Sequence, residues 1–107
     1  MALEEISPQE LKRRRDTDPG VRLIDVREPW EVAIASLPGA VNIPLNELPQ
    51  RLRELDPQAD TIVMCKAGGR SRRAAAFMLA QGFAHVANLT GGIDAWTHDI
   101  DPTLESY

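Results

Sequence analysis

The sequence predicts an α/β domain in which a central, mainly parallel sheet of about five strands carries helices on both faces. Short apolar runs typical of buried strands alternate along the chain with segments that have helical spacing or helix-start signals. Parallel strands are joined by right-handed crossovers, so this alternation places helices on both faces. The 107 residues, 43% of them hydrophobic, suffice for one modest core, and we expect a single domain over residues 1–107.

Two strands and two helices are predicted in the first third of the chain. Residues 4–6 fit a short edge strand. The run Ser-Pro-Gln-Glu at residues 7–10 combines an N-cap, a first-turn proline and an early acid, and predicts a helix that ends near residue 15. Residues 21–26 are apolar enough for a central strand, and residues 29–34 predict a short helix that contains Trp30.

The rest of the chain alternates in the same way. Leucines at helical spacing between residues 45 and 55 predict a helix that Pro49 starts or interrupts. A second helix is predicted at residues 72–81, and Gly91-Gly92 leads into a closing helix. Strands are predicted at residues 41–43, 61–64 and 86–89.

The only cysteine of the chain lies where a predicted strand ends and a tight turn leads into a helix. The turn reads Cys65-Lys66-Ala67-Gly68-Gly69-Arg70-Ser71. Its two glycines allow the backbone to curl so that its N–H groups point inward, and Ser71 is a candidate N-cap. Backbone N–H groups and a helix N-terminus both favour an anion, and this geometry therefore predicts a thiolate at Cys65.

The charge pattern around the cysteine supports the same interpretation. Four cations and no acid lie within residues 66–73, which carry +4 while the rest of the chain carries −8 of the net −4. Nearby positive charge lowers a thiol pKa. These cations are Lys66, Arg70, Arg72 and Arg73. We interpret Cys65 as a nucleophile in an anion-binding cradle; the alternative is a buried cysteine that serves as a small hydrophobe.

Asp25 and Arg27 are predicted to lie close to this loop. They stand at the carboxyl end of a predicted central strand, where ligand crevices of open α/β sheets form. Asp25 could hold an arginine such as Arg27 or Arg70. An ion pair that fixes the loop is the favoured interpretation, because an acid beside the sulfur would raise the thiol pKa.

Several classes of function are disfavoured by the composition. His85 and His98 stand alone without a second cysteine, which disfavours a metal site, while a Cys–His dyad stays open on residue count only. We expect no cofactor. A small basic segment on an acidic chain disfavours nucleic acid, which needs a broad basic face. We also expect no membrane span, no secretion signal and a cytoplasmic location, where a lone cysteine stays reduced.

Four motifs, in order along the chain, resemble those of the rhodanese family of sulfurtransferases. Ala35-Ser36 departs from the pattern, since the family often has Gly-His ahead of its Pro-Gly-Ala. The motifs are residues 23–28 (Leu-Ile-Asp-Val-Arg-Glu) with Glu31, residues 38–44 (Pro-Gly-Ala-Val-Asn-Ile-Pro), the Cys-x-x-Gly-x-Arg-Ser of residues 65–71, and residues 91–96 (Gly-Gly-Ile-Asp-Ala-Trp).

The resemblance implies an enzyme that transfers sulfane sulfur. Cys65 would take sulfur from thiosulfate or a persulfide donor and pass it on as a persulfide, with Arg70 orienting the loop or the donor. Lys66, Arg72 and Arg73 would attract the anion or the acidic tail of a partner. The related Cys-x5-Arg phosphatases have one residue more between cysteine and arginine, and the shorter loop here implies a persulfide sulfur in place of a phosphate ester. A regulatory or docking module without catalysis is the other alternative.

The last residues suggest a partner. Residues 99–107 are polar and predict a frayed tail. They are also similar to the end of rhodanese domains fused to adenylating enzymes that activate ubiquitin-like sulfur carriers. That resemblance implies a small sulfur-carrier protein as acceptor.

Overall fold

The computed structural model describes residues 3–107, so Met1 and Ala2 of the expected domain range lie outside the described residues. Five parallel strands form one sheet in the order β1-β5-β4-β2-β3. The predicted α/β class with a five-stranded parallel sheet is confirmed. The strands are β1 (Glu4–Ile6), β2 (Arg22–Asp25), β3 (Val41–Asn42), β4 (Thr61–Met64) and β5 (Val86–Leu89).

Helices cover both faces of the sheet. The core on one face includes Leu11 and Trp96, and the core on the other includes Leu48, Ala74 and Met78. Helices α1 and α5 therefore lie on the first face, and α3 and α4 on the second. The helices are α1 (Pro8–Thr17), α2 (Pro29–Ile34), α3 (Leu48–Arg51), α4 (Gly69–Ala80) and α5 (Gly92–Asp99).

Strands β4 and β5 agree with the predicted bounds, because both are buried along their whole length and are therefore mainly apolar in sequence. The prediction of one helix over residues 45–55 is wrong. The segment is a short α-helix between two 3₁₀ turns, Leu45–Glu47 and Leu52–Glu54. Pro49 lies in the first turn of α3 and lacks the N–H that would continue a helix from the preceding turn.

Helix α4 begins at Gly69, three residues before the predicted start. It ends as a Schellman motif, in which the Phe83 N–H donates to the Met78 carbonyl at 3.1 Å and the Gly82 N–H to the Leu79 carbonyl at 3.1 Å. Helix α1 extends to Thr17, two residues past the prediction. None of the helices within residues 3–107 has the length and apolarity that a membrane crossing requires.

Candidate active site

Cys65 lies directly after β4, at the carboxyl end of the sheet. The residue is 1% exposed and packs in the same core as α4. Its sulfur accepts the N–H of Gly68 at 3.1 Å and lies 3.3 Å from the Ser71 hydroxyl. A cysteine that serves only as a small hydrophobe has no need of these donors, and the geometry therefore favours an anionic sulfur.

Gly68 is the residue that turns the loop. It occupies the N-cap of α4 with φ +107°, a conformation that other residues rarely adopt, and an added Cβ would lie 3.3 Å from the Gly91 nitrogen. Gly69 is already the first helical residue and has open space around it. The prediction that Ser71 caps the helix is wrong: Ser71 is the third helical residue, and its buried hydroxyl faces Cys65 and the Gly68 carbonyl.

The start of α5 is hydrogen-bonded to the first two residues of the cysteine loop. The N–H groups of Ile93 and Asp94 donate to the carbonyls of Cys65 and Lys66 at 2.9 and 3.1 Å. Gly92 makes this approach possible, because an added Cβ would lie 2.4 Å from each of these two oxygens. The carbonyls are thus engaged by α5, which leaves the loop N–H groups for the sulfur.

Hydrogen bonds to the Cys65 sulfur together outweigh the effect of burial on its pKa. Burial raises its pKa, but the Ser71 hydroxyl and the backbone N–H groups of Ser71, Gly68 and Ala67 lower it by more. The net effect holds the Cys65 pKa below the usual thiol range. The thiolate is therefore favoured chiefly by the loop backbone and one hydroxyl.

The basic segment of residues 66–73, which has no acid of its own, is largely paired with acids from other parts of the chain. Three of its four cations are paired with carboxylates from other parts of the chain, while Arg73 is exposed. These pairs exist because the fold brings acids from β1, α2 and α5 to the loop. They are Lys66–Asp94 at 3.0 Å, Arg70–Glu31 at 2.6 Å and Arg72–Glu5 at 2.8 Å.

Alkylation of Cys65 with iodoacetamide is expected to show a midpoint well below the reference thiol pKa of about 8.5. Neutralising Arg73 by Arg73→Gln is expected to change the midpoint only slightly, because its exposed charge is screened by solvent. The measurement is the alkylation rate against pH for both proteins. A native midpoint at or above about 8.5 would contradict the thiolate assignment.

Arg70 is fixed by Glu31, a contact that the sequence did not predict. Both terminal nitrogens of Arg70 donate to the Glu31 carboxylate, at 2.6 and 2.9 Å. Arg70, together with the backbone and Tyr107, lowers the pKa of Glu31 to about 2 although burial raises it. Glu31 belongs to the first resembling motif, but nothing in its local sequence indicated its partner.

A buried ion pair lies next to the Arg70–Glu31 contact and is linked to it through Tyr107. Arg27, fully buried, pairs with Asp25 at 2.7 Å, and Asp25 therefore holds Arg27 and not Arg70. The Tyr107 hydroxyl donates to Glu31 at 2.7 Å and accepts from Arg27 at 3.0 Å, which links the two pairs. The prediction of a frayed tail is wrong, since Tyr107 is anchored here and packs edge-on to the exposed Trp30.

Two further observations complete the site. Asn88, a fully buried polar residue on β5, contacts both Ser71 and Gly68, and the apolar pattern of its strand gave no signal for it. His85 and His98 are exposed. Within residues 3–107, no three His, Cys, Asp or Glu side chains come together in a way that could hold a metal ion.

Comparison with known proteins places this geometry in a family. The family model for the rhodanese-like domain matches residues 7–99. A sulfurtransferase of Allochromatium vinosum is 36% identical over 94 residues, which is 88% of each chain. The chain therefore belongs to the rhodanese family, as the four motifs predict.

Other relatives are longer than this chain. The rhodanese-like/PpiC domain-containing protein 12 of Arabidopsis thaliana is 47% identical over 90 residues, and this chain spans 30% of its length. The probable adenylyltransferase/sulfurtransferase MoeZ of Mycobacterium tuberculosis is 36% identical over 104 residues, 95% of this chain and 26% of that protein. Each match is confined to a minor part of the longer protein.

Solved structures share the fold. The rhodanese-like domain protein of Staphylococcus aureus superposes with a TM-score of 0.84 at 28% identity, covering 98% of this chain and 99% of that one. This likeness extends over almost the whole of both chains and agrees with the sheet and helices described above.

Proposed function

We propose that this protein is a sulfurtransferase that carries sulfane sulfur on Cys65 as a persulfide. The observation that carries the proposal is the position of the Cys65 sulfur, 3.1 Å from the Gly68 nitrogen at the start of α4. N–H groups at a helix start stabilise a sulfur anion, both as the thiolate and as the persulfide that replaces it.

The reaction is a double displacement in two balanced steps. The Cys65 thiolate attacks the outer sulfur of thiosulfate, a new S–S bond forms, and the old S–S bond breaks with its electron pair leaving on sulfite. A nucleophile such as cyanide then attacks the terminal sulfur of the persulfide, and the Cys65 thiolate leaves. No oxidant and no cofactor enter either step.

Arg70 favours sulfur over phosphate as the substrate. Four residues separate Cys65 from Arg70, and both terminal nitrogens of Arg70 are bonded to Glu31. An arginine that wraps a phosphate ester needs those donors free for the equatorial oxygens. The rival phosphatase function therefore requires Arg70 to leave Glu31, a buried partner that it binds through two hydrogen bonds.

The physiological acceptor in this proposal is a small sulfur-carrier protein whose adenylated carboxyl end takes the persulfide sulfur. The similarity to MoeZ, which is named for both adenylyltransferase and sulfurtransferase activities, supports it. The persulfide would attack the acyl carbon and release AMP. The chain has only one cysteine, so an external thiol must reduce the resulting acyl disulfide.

The proposal is tested by treating the reduced protein with thiosulfate or with a low-molecular-weight persulfide, removing the donor and weighing the protein. We expect one added sulfur atom on Cys65, released as thiocyanate by cyanide or passed to an adenylated carrier in a parallel arm. The inert-module alternative predicts no added sulfur from either donor. That result, or robust hydrolysis of aryl phosphates, would contradict the sulfurtransferase assignment.

A further inference from the structure

A chain of polar contacts links the Cys65 sulfur, through the Ser71 and Asn88 side chains, to Glu5 on β1. The Ser71 hydroxyl lies 3.3 Å from the sulfur and is also hydrogen-bonded to the Asn88 side-chain oxygen. The Asn88 amide nitrogen donates to the Glu5 carboxylate at 3.0 Å and to the Gly68 carbonyl at 3.2 Å. Ser71 and Asn88 are both fully buried, so no solvent competes for the bond between them, whereas Glu5 at the far end is exposed.

The Ser71 hydroxyl has one proton and three acceptors. These acceptors are the Cys65 sulfur, the Gly68 carbonyl and the Asn88 oxygen. A hydroxyl can donate only one hydrogen bond at a time. When the Ser71 hydroxyl donates its proton to Asn88, that proton is withheld from the Cys65 sulfur. If the hydroxyl rotates to donate to the sulfur, the Ser71 and Asn88 oxygens face each other without a proton between them.

Glu5 fixes which end of the Asn88 amide faces Ser71. The Glu5 carboxylate and the Gly68 carbonyl are both acceptors, so they hold the amide nitrogen on their side and the amide oxygen toward Ser71. With the amide reversed, its nitrogen would donate to the Ser71 oxygen, and the hydroxyl proton would be free for the sulfur. Both acceptors oppose that reversal, and Glu5 opposes it more strongly, because a reversed amide oxygen would face its negative charge.

We propose that Asn88, held in one orientation by Glu5, is a positioning residue that limits how much of the Ser71 proton reaches the Cys65 sulfur. It thereby keeps the sulfur more basic, and hence more nucleophilic, than it would be if the Ser71 hydroxyl donated fully to it. The catalytic meaning of this role rests on the proposed function, in which the same sulfur attacks a donor.

The charged groups around this path are few. Glu5 also accepts from Thr90 and pairs with Arg72 at 2.8 Å. Arg70, which pairs with Glu31, is the other charge that acts on the Cys65 sulfur. A substitution of Glu5 consequently changes both the orientation of Asn88 and the local charge, and the experiment must separate the two effects.

The test is the Glu5→Gln variant, read by the pH midpoint of Cys65 alkylation. The glutamine amide can donate to a reversed Asn88, so the hydroxyl proton becomes available and the midpoint is expected to fall by about one pH unit. Glu4→Gln is the matched charge control: Glu4 precedes Glu5 on β1 but pairs with Arg14. It is expected to move the midpoint by less than about 0.3 unit, because solvent screens its charge.

A double-mutant cycle with Ser71→Ala distinguishes the proton path from simple electrostatics. Without the hydroxyl, Glu5→Gln is expected to leave the midpoint within about 0.3 unit of that of Ser71→Ala. The same fall in both backgrounds would assign the effect to charge and overturn the proposal, as would an unchanged midpoint in Glu5→Gln. Alkylation needs no sulfur donor, so its result is independent of persulfide formation. The Asn88 proposal can fail while Cys65 still forms a persulfide, and it can hold even if no persulfide forms.

Discussion

Replacing Cys65 with serine is expected to lower the rate of sulfur transfer by about three orders of magnitude or more. A serine hydroxyl is not ionised at neutral pH and cannot form a persulfide that a second nucleophile attacks. The measurement is thiocyanate formation from thiosulfate and cyanide, compared with the native protein. Serine has nearly the same shape, and the free energy of unfolding is expected to change by about 1 kcal/mol or less.

Native protein alkylated at Cys65 provides the matched control for this variant. Iodoacetamide blocks the same sulfur without a change of sequence, and the chain has no other thiol to react. Both proteins are therefore expected to lose activity together. Retention of most of the activity by the serine variant would show that sulfur is carried elsewhere.

Gly92→Ala is expected to have the largest effect on the fold of the site. The added Cβ would lie 2.4 Å from the carbonyl oxygens of Cys65 and Lys66, and the residue has φ +59°. Backbone strain costs about 1–2 kcal/mol and overpacking about 1–3 kcal/mol, so the free energy of unfolding should fall by about 2–5 kcal/mol. Urea unfolding measures the loss, and the folded fraction should transfer sulfur more slowly because the loop has moved.

Gly82→Ala separates strain from collision. Gly82 also has positive φ, +97°, but no atom lies within 4 Å of its added Cβ. It is expected to cost only the strain, about 1–2 kcal/mol, and to leave sulfur transfer unchanged because it lies at the far end of α4. Equal losses of stability in the two variants would refute the close contact between Gly92 and the loop.

The elements of this fold could be predicted from local sequence because their signals are local. Mainly apolar runs marked β4 and β5, and the serine and proline of residues 7 and 8 marked the start of α1. The start of α4 was misplaced for a physical reason. The positive φ of Gly68 ends the turn earlier than the capping preference of Ser71 suggested.

The contacts of the site could be predicted only in part. The cysteine, its glycine turn and the helix after it are adjacent in sequence. The partners of the loop cations are not: Arg70 meets Glu31 from 39 positions away, and Arg72 meets Glu5 from 67 positions away. Those contacts follow from the strand order β1-β5-β4-β2, which brings distant parts of the chain side by side and which no local pattern determines.

The active-site loop depends on hydrogen bonds from the start of α5, which lies near the end of the chain. The amides of Ile93 and Asp94 hold carbonyls that precede them by 28 residues in each case, so the cradle is completed by a segment made well after the cysteine itself. During synthesis, a nascent chain that has emerged only as far as Gly91 has the nucleophile but not the helix that engages its carbonyls. Cys65 therefore cannot have its full set of loop contacts before the closing helix has docked.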